Sequence, residues 1–290
     1  MDTRELLQKV RRVEIKTRGL SQNIFAGEYH TAFKGRGMAF SEVREYQFGD
    51  DVRSIDWNVT ARFQRPYVKV FEEERELTMM LLVDVSGSRD FGSVVQTKRE
   101  LMTELAATLA FSSIQNNDKI GVIFFSDRIE KFIPPQKGRK HVLHIIRELI
   151  SFEPVSRKTD IGGALRYFTS VIKKHSTAFL MSDFMDNNYA DALMIANRKH
   201  DIVGLHLYDV RETELPDVGL IKLKDAETEQ RLWFDTSDKR VRKAYHDAWL
   251  ANKLTMQQCF TRAGVDHVSI STSEDYVRCL MRLFRMRSAS

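Results

Sequence analysis

The stretch Leu77-Thr78-Met79-Met80-Leu81-Leu82-Val83-Asp84-Val85-Ser86-Gly87-Ser88 decides the reading of this chain. Its apolar run is short, lacks alternation and is closed by a Gly/Ser turn, the pattern of a strand buried on both faces of a parallel sheet. One carboxylate and two hydroxyls then leave the strand's carboxyl end within five residues. That is where ligands bind in open α/β sheets. Hard oxygen donors packed so closely suit a divalent cation, most naturally magnesium, which takes oxygen ligands and keeps some waters. Taken alone, the motif reads rather as a capped loop before the helix that starts near Lys98, because Asp and Ser are also turn formers and N-caps.

Two segments downstream change the balance. Lys158-Thr159-Asp160-Ile161-Gly162-Gly163-Ala164-Leu165 places a Thr hydroxyl at a loop-to-helix junction, and Ala178-Phe179-Leu180-Met181-Ser182-Asp183-Phe184 is a second apolar strand ending in a carboxylate. Together the three segments resemble the metal-ion-dependent adhesion site of von Willebrand factor A (VWA) domains: Asp-x-Ser-x-Ser, then a Thr, then an Asp. The resemblance implies that Asp84, Ser86, Ser88, Thr159 and Asp183 hold the metal, Asp183 directly or through water. It implies Mg2+, with Mn2+ or Ca2+ as alternatives. Neutral hydroxyls would leave the cation with residual charge and an open position, which an acidic side chain of a partner protein can complete. Gly87 lets the loop turn between the serines. Asp160 reads as a helix cap rather than a ligand. Arg89, directly after the motif, reads as a residue that alters access or pairs with an incoming carboxylate.

The resemblance extends beyond these loops. Between Gly37 and Ser88 stand Phe40-Ser41-Glu42-Val43-Arg44-Glu45-Tyr46, Gly49-Asp50-Asp51-Val52-Arg53-Ser54-Ile55-Asp56-Trp57 and Val68-Lys69-Val70-Phe71-Glu72-Glu73-Glu74-Arg75. These segments resemble a large bacterial family of VWA-like proteins, a domain of unknown function, whose members are typically encoded beside MoxR-type AAA+ ATPases. The similarity spans nearly the whole chain. It implies a MoxR-type AAA+ ATPase and an unidentified client protein as partners.

At 290 residues the chain can bury a substantial core and carry one large domain with an appendage. Its 42% hydrophobic and 29% charged content is that of an ordinary globular protein. The start is charged from Asp2 to Lys9, unlike a signal peptide, and no apolar run is long enough to span a bilayer. Cys259 and Cys279 read as free thiols of a reducing compartment, so a cytoplasmic location is expected. The net charge of +5 raises nucleic-acid binding. The basic residues Arg278, Arg282 and Arg285 lie on one face of an amphipathic helix, however, which is more often a solvated or partner-facing surface, and no nucleic-acid motif accompanies them.

Periodicity predicts a short amphipathic helix over residues 5–18, an irregular or short-stranded module over 19–75, and then α/β alternation. Strands are expected at Met79–Val83, Ile120–Phe125, Ala178–Met181, Asp201–Tyr208 and Asp266–Ile270, with an edge hairpin at Arg128–Ile133. Helices are expected at Lys98–Gln115, Arg139–Ser151, Gly162–His175, Tyr189–Arg198, Asp238–Arg262 and Glu274–Arg285. The charge run Phe71–Glu76 reads as an exposed connection, and Trp57, Trp233 and Trp249 as core or interface anchors. The expected architecture is α/β: a doubly wound, Rossmann-like VWA domain over 76–290 with a central, mostly parallel sheet and a hairpin insertion near 218–236, preceded by a small N-terminal module over 1–75.

Catalytic signatures are missing. No Gly-x-x-x-x-Gly-Lys-Ser/Thr loop is present to hydrolyse ATP, and Gly-x-Ser-x-Gly, His-Glu-x-x-His and Cys-x-x-Cys are absent. A strand ending in Asp also begins phosphatases that form an aspartyl-phosphate, with Asp84 as nucleophile, but the second acid expected two residues on is Ser86. His141 and His144 share a helix face without an evident third zinc ligand. The sequence therefore predicts a non-enzymatic, metal-dependent protein-binding adaptor. A scaffold or assembly subunit with an incidental metal site is the alternative, and a metal-dependent phosphohydrolase the third reading.

Overall fold

The computed structural model describes residues 8, 10–17, 38–73, 77–92, 96–186, 188–224 and 231–288. Its centre is a six-stranded sheet built from β3 (Thr78–Asp84), β4 (Lys119–Phe125), β5 (Ile129–Gln136), β6 (Thr177–Ser182), β7 (Asp201–Tyr208) and β10 (Asp266–Ser271), in the order β10-β7-β6-β3-β4-β5. Every neighbouring pair is parallel except β4–β5, which places one antiparallel strand at the edge. Pro134 and Pro135 lie on that edge strand at the irregularity between the Val122–Ile133 and Ile120–Gln136 pairs, where proline is tolerated.

The unalternated run of β3 follows from covering both faces. Met79, Leu81 and Val83 enter a core formed with α3 (Lys98–Gln115), α4 (Arg139–Ser151) and α9 (Tyr276–Ser288). Met80 and Leu82 point the other way, into a core formed with α5 (Ile161–Val171), α6 (Ala190–Lys199) and α8 (Lys239–Ala263). Side chains on a strand alternate between faces, so one apolar strand feeds two cores, and each fully buried Leu contributes about 1.5–3 kcal/mol. This is the doubly wound, mostly parallel α/β sheet expected from the sequence. Residues 10–17 (α1) are helical and set Val10 and Val13 on the first core, with Lys16 2.6 Å from Glu104. The remainder of the helix expected over 5–18 lies largely outside the described residues.

Ahead of the large sheet, β1 (Met38–Glu45) and β2 (Tyr67–Glu73) form a two-stranded antiparallel ribbon. Between them lies the short helix α2 (Trp57–Phe63), capped by Asp56, whose carboxylate accepts from the Asn58 and Val59 N–H groups. Asp51 likewise caps a 3-10 turn, while Asp50 accepts two bonds from the Arg44 guanidinium. A second ribbon, β8 (Leu220–Lys224) and β9 (Arg231–Asp235), follows the single helical turn α7 (Val210–Thr213). The connection over Asp225–Glu229 lies outside the described residues.

The structure corrects several expectations. Phe71–Glu73 belong to β2, because the backbone ladder with β1 continues through them to Met38–Phe40. The helix expected over Gly162–His175 stops at Val171, where extended Ile172 turns its nearly buried side chain into the second core. Of the two roles expected for the tryptophans, core or interface anchor, the core one does not hold: Trp57 and Trp233 are 70% and 62% exposed, and Trp249 lies half-buried against Tyr208. Among the described residues, no helix is long and apolar enough to cross a membrane.

Candidate functional site

The chain leaves β3 toward β4 on one side of the sheet and later returns to β6 on the other. The carboxyl ends of β3 and β6 therefore flank the topological switch point, the crevice where open α/β sheets bind ligands. Asp84 is the last residue of β3, and Asp183 directly follows β6.

Asp84 is buried, with both carboxylate oxygens engaged. The Ser86 N–H donates to Oδ1 at 2.9 Å, and the Ser182 hydroxyl donates to Oδ2 at 2.6 Å. The Ser86 and Ser88 hydroxyl oxygens stand 3.2 Å apart, and the Ser88 hydroxyl bonds to Asp183. Four of the five expected residues, Asp84, Ser86, Ser88 and Asp183, thus fall into one hydrogen-bonded cluster. Thr159 is half-buried on a neighbouring loop, two residues beyond Arg157, whose carbonyl accepts the Gly87 N–H at 3.0 Å. That loop is tied to the sheet at its far end, where the Asp160 N–H donates to the Ser126 carbonyl at 3.0 Å.

Two glycines explain the close fit of the second and third loops. A Cβ on Gly163 would lie 2.5 Å from an Asp160 carboxylate oxygen, and one on Gly162 would lie 2.9 Å from the Asn188 carbonyl. Asp160 caps α5 as the sequence suggests, accepting from the Gly163 N–H at 2.7 Å. Asp186 accepts the Ile161 N–H at 2.9 Å and so joins the loop after Asp183 to the start of α5. Phe184 takes up the left-handed region at φ 54° directly after Asp183. Its buried ring packs against Tyr189 and Phe260, which anchors this unfavourable backbone.

Lys98, Ser182 and Glu212 complete the site, and sequence reasoning missed all three. Lys98 begins α3 but is only 1% exposed, with its ammonium 3.0 Å from Asp183 Oδ2 and 2.6 Å from Glu212 Oε1. One signal was available: a cation in the first helical turn opposes the helix dipole and asks for a reason. Arg89 is also buried, and donates to the Phe152 carbonyl at 2.7 Å with Glu153 3.7 Å away. It is built into the wall, so the expectation that it meets an incoming carboxylate is corrected.

The electrostatics are uneven. Burial, reinforced by the Asp183 charge, pushes the Asp84 carboxyl well above the usual carboxylate range. Burial acts on Asp183 the same way, but Lys98 and the Ser88 hydroxyl outweigh it and hold that carboxyl low. A cation would relieve the burial of charge on Asp84, and the carboxylate and hydroxyl oxygens here are donors of the kind magnesium prefers, with the Lys98 ammonium already on Asp183. Away from this cluster, His141 Nε2 is paired with the Ile120 carbonyl at 2.8 Å. Among the described residues, no three His, Cys, Asp or Glu side chains converge as a ligand group.

An open, mostly parallel sheet carrying Asp-x-Ser-x-Ser at its switch point defines the class: a doubly wound α/β domain. The family model described as "Protein of unknown function DUF58" matches residues 42–255, and the chain belongs to that family. The uncharacterized protein Rv1480 of Mycobacterium tuberculosis is 28% identical over 290 residues, covering 99% of this chain and 91% of the relative. Among solved structures, the conserved hypothetical protein BatB from Bacteroides thetaiotaomicron superposes with a TM-score of 0.48 at 14% identity, covering 74% of this chain and all of BatB. The SpRpn10 VWA domain does so with a TM-score of 0.37 at 13% identity, covering 73% of this chain and 94% of that domain.

Proposed function

We propose that this protein is a non-enzymatic, divalent-metal-dependent protein-binding adaptor, with Mg2+ held by Asp84, Ser86, Ser88, Thr159 and Asp183. The observation that carries the reading is the single cluster of carboxylates and hydroxyls at the switch point, with Asp84 short of positive charge. When bound, the metal would supply a Lewis-acidic position open to a partner's acidic side chain. The protein's residues orient it: Ser182 and the Ser86 N–H fix the Asp84 carboxylate, and the Gly87–Arg157 bond holds the first loop against the second. A MoxR-type AAA+ ATPase as motor, a client protein as its target and a cytoplasmic location complete the proposal, on the strength of the family resemblance in residues 37–88.

The scaffold reading, with an incidental metal site, has one observation in its favour: Lys98 already supplies a positive charge against Asp183. Hydrolysis through an aspartyl-phosphate fits less well, since the Asp84 carboxylate is buried, doubly hydrogen-bonded and followed by Ser86 rather than an acid.

The test is binding of the purified MoxR-type ATPase from the same organism to the immobilised protein, in Mg2+, in chelator, and with Asp84→Ala in Mg2+. Retention by the wild type in Mg2+ alone is the expected result. Retention in all three conditions would leave the partnership standing and turn the reading to the scaffold. Absence of retention throughout would remove the ATPase from the proposal.

A further inference from the structure

Lys98 is among the largest fully buried side chains of the protein and lies at the site rather than in a core. Its two partners in charge are Asp183 and Glu212, and the Asp84 carboxylate acts on Asp183 in turn. Asp84 closes β3, Asp183 follows β6, and Glu212 sits on α7 directly after β7. Glu212 is held from both sides: Oε1 receives the Lys98 ammonium, and Oε2 receives the Asp209 N–H at 2.8 Å as part of the α7 capping box.

Two other basic groups nearby are otherwise engaged. Arg89 engages the Phe152 carbonyl and Glu153. His206, bonded to the Ser269 hydroxyl, is pushed down to about 4 by burial and is neutral at physiological pH. Burial alone would push Lys98 down as well, but Asp183 and Glu212 more than reverse this and hold it above its ordinary value. With Asp84 ionised, as a bound cation would hold it, the count is three carboxylates against one ammonium, an excess of two negative charges that one divalent ion would neutralise.

We propose that Lys98 is the resident cation of this site: a fixed ammonium that ties Asp183 to Glu212, limits the site to a single divalent metal and sets how tightly that metal is held. The proposal rests on the metal-site reading above and deepens it. An ammonium has three donors and no acceptor, so it cannot ligate a metal; it can only repel one and occupy Asp183 Oδ2. Its position in the first turn of α3 is electrostatically unfavourable and is retained because two carboxylates meet it there. A site tuned in this way holds metal weakly by itself and strengthens when a partner's carboxylate restores negative charge, so metal and acidic partner bind together.

Charge variants test the proposal directly, with Mn2+ as the probe and free Mn2+ counted by electron paramagnetic resonance. Lys98→Met leaves an excess of three negative charges, Glu212→Gln an excess of one, and the double variant an excess of two, as in the wild type. Lys98→Met is expected to bind Mn2+ about tenfold or more tightly than wild type, and Glu212→Gln to bind it more weakly by a similar factor. The double variant should return close to the wild-type affinity. If Lys98→Met does not fold in chelator, the step from Glu212→Gln to the double variant carries the same comparison. Equal Mn2+ affinity in all variants that fold would overturn the role of Lys98 and leave it a structural ion pair, with the metal site intact. Absence of Mn2+ binding in every variant would instead overturn the metal-site reading, and this proposal with it.

Discussion

Asp84 shows at the scale of one residue what a buried carboxylate costs a fold. Its carboxylate is buried at the end of β3 with two hydrogen bonds and the charge of Asp183 nearby, and both burial and that charge favour the protonated form. Ionised, it burdens the fold; neutral, it does not. Asp84→Asn keeps the shape, and the Ser182 hydroxyl can reverse its bond. The variant is therefore expected to melt at a higher temperature than wild type at pH 8 in chelator, while losing the stabilisation by Mg2+. A ligand at ten times its dissociation constant would stabilise the fold by only about 1.4 kcal/mol, a shift of a few degrees at this size, so the two proteins must be compared side by side. A lower melting temperature for Asp84→Asn would mean that the carboxylate is satisfied without metal.

Helix α3 carries the same tension at the scale of an element. It opens with a complete capping box: the Thr97 hydroxyl accepts the Glu100 N–H, and the Glu100 carboxylate accepts the Thr97 N–H. These bonds fix the first turn, and with it the origin of the Lys98 side chain. Removal of the hydroxyl in Thr97→Ala is expected to lower stability by about 1 kcal/mol, read as a reduced urea midpoint at unchanged slope. A loss well beyond that would show that the Lys98–Asp183–Glu212 bridge depends on the cap.

Acid is the clearest lever at the scale of the whole molecule. His200 packs its ring on Phe168 at 4.4 Å and pairs with the Ser176 hydroxyl at 3.1 Å. Burial, with Lys199 and His175 adding to it, pushes it down to about 4 from an unfolded value near 6.5. A group depressed in the folded state contributes fully above its unfolded value and loses that contribution as pH falls toward the folded one, here between about 6.5 and 4. Asp84 acts in the opposite sense, since its raised value favours the fold as pH falls, so a single wild-type curve mixes the two. The difference between wild type and His200→Gln isolates the histidine: it should shrink from pH 7.5 to pH 5 in paired urea titrations. A constant difference would mean that the imidazole titrates alike in both states.

The continuous apolar runs of β3, β6 and β7, the 3.6-residue periodicity of the helices and the spacing Asp84-x-Ser86-x-Ser88 were legible in the chain. They express forces acting within a few residues: strand burial on two faces, helical stripes and local capping. Thr159 and Asp183 could be placed at strand or helix ends on the same grounds. The burial of Arg89, the exposure of Trp57 and Trp233, and the bridge from Lys98 to Asp183 and Glu212 were not legible. That bridge joins residues 85 and 114 positions apart. A lysine at a helix start carries no local mark of the carboxylates that will meet it, because the order of strands across the sheet brings them there. The sequence by itself determined the layers of the fold and the donors at the switch point; only the tertiary structure decided which charges those donors share, since electrostatic pairing depends on distance in space rather than on position along the chain.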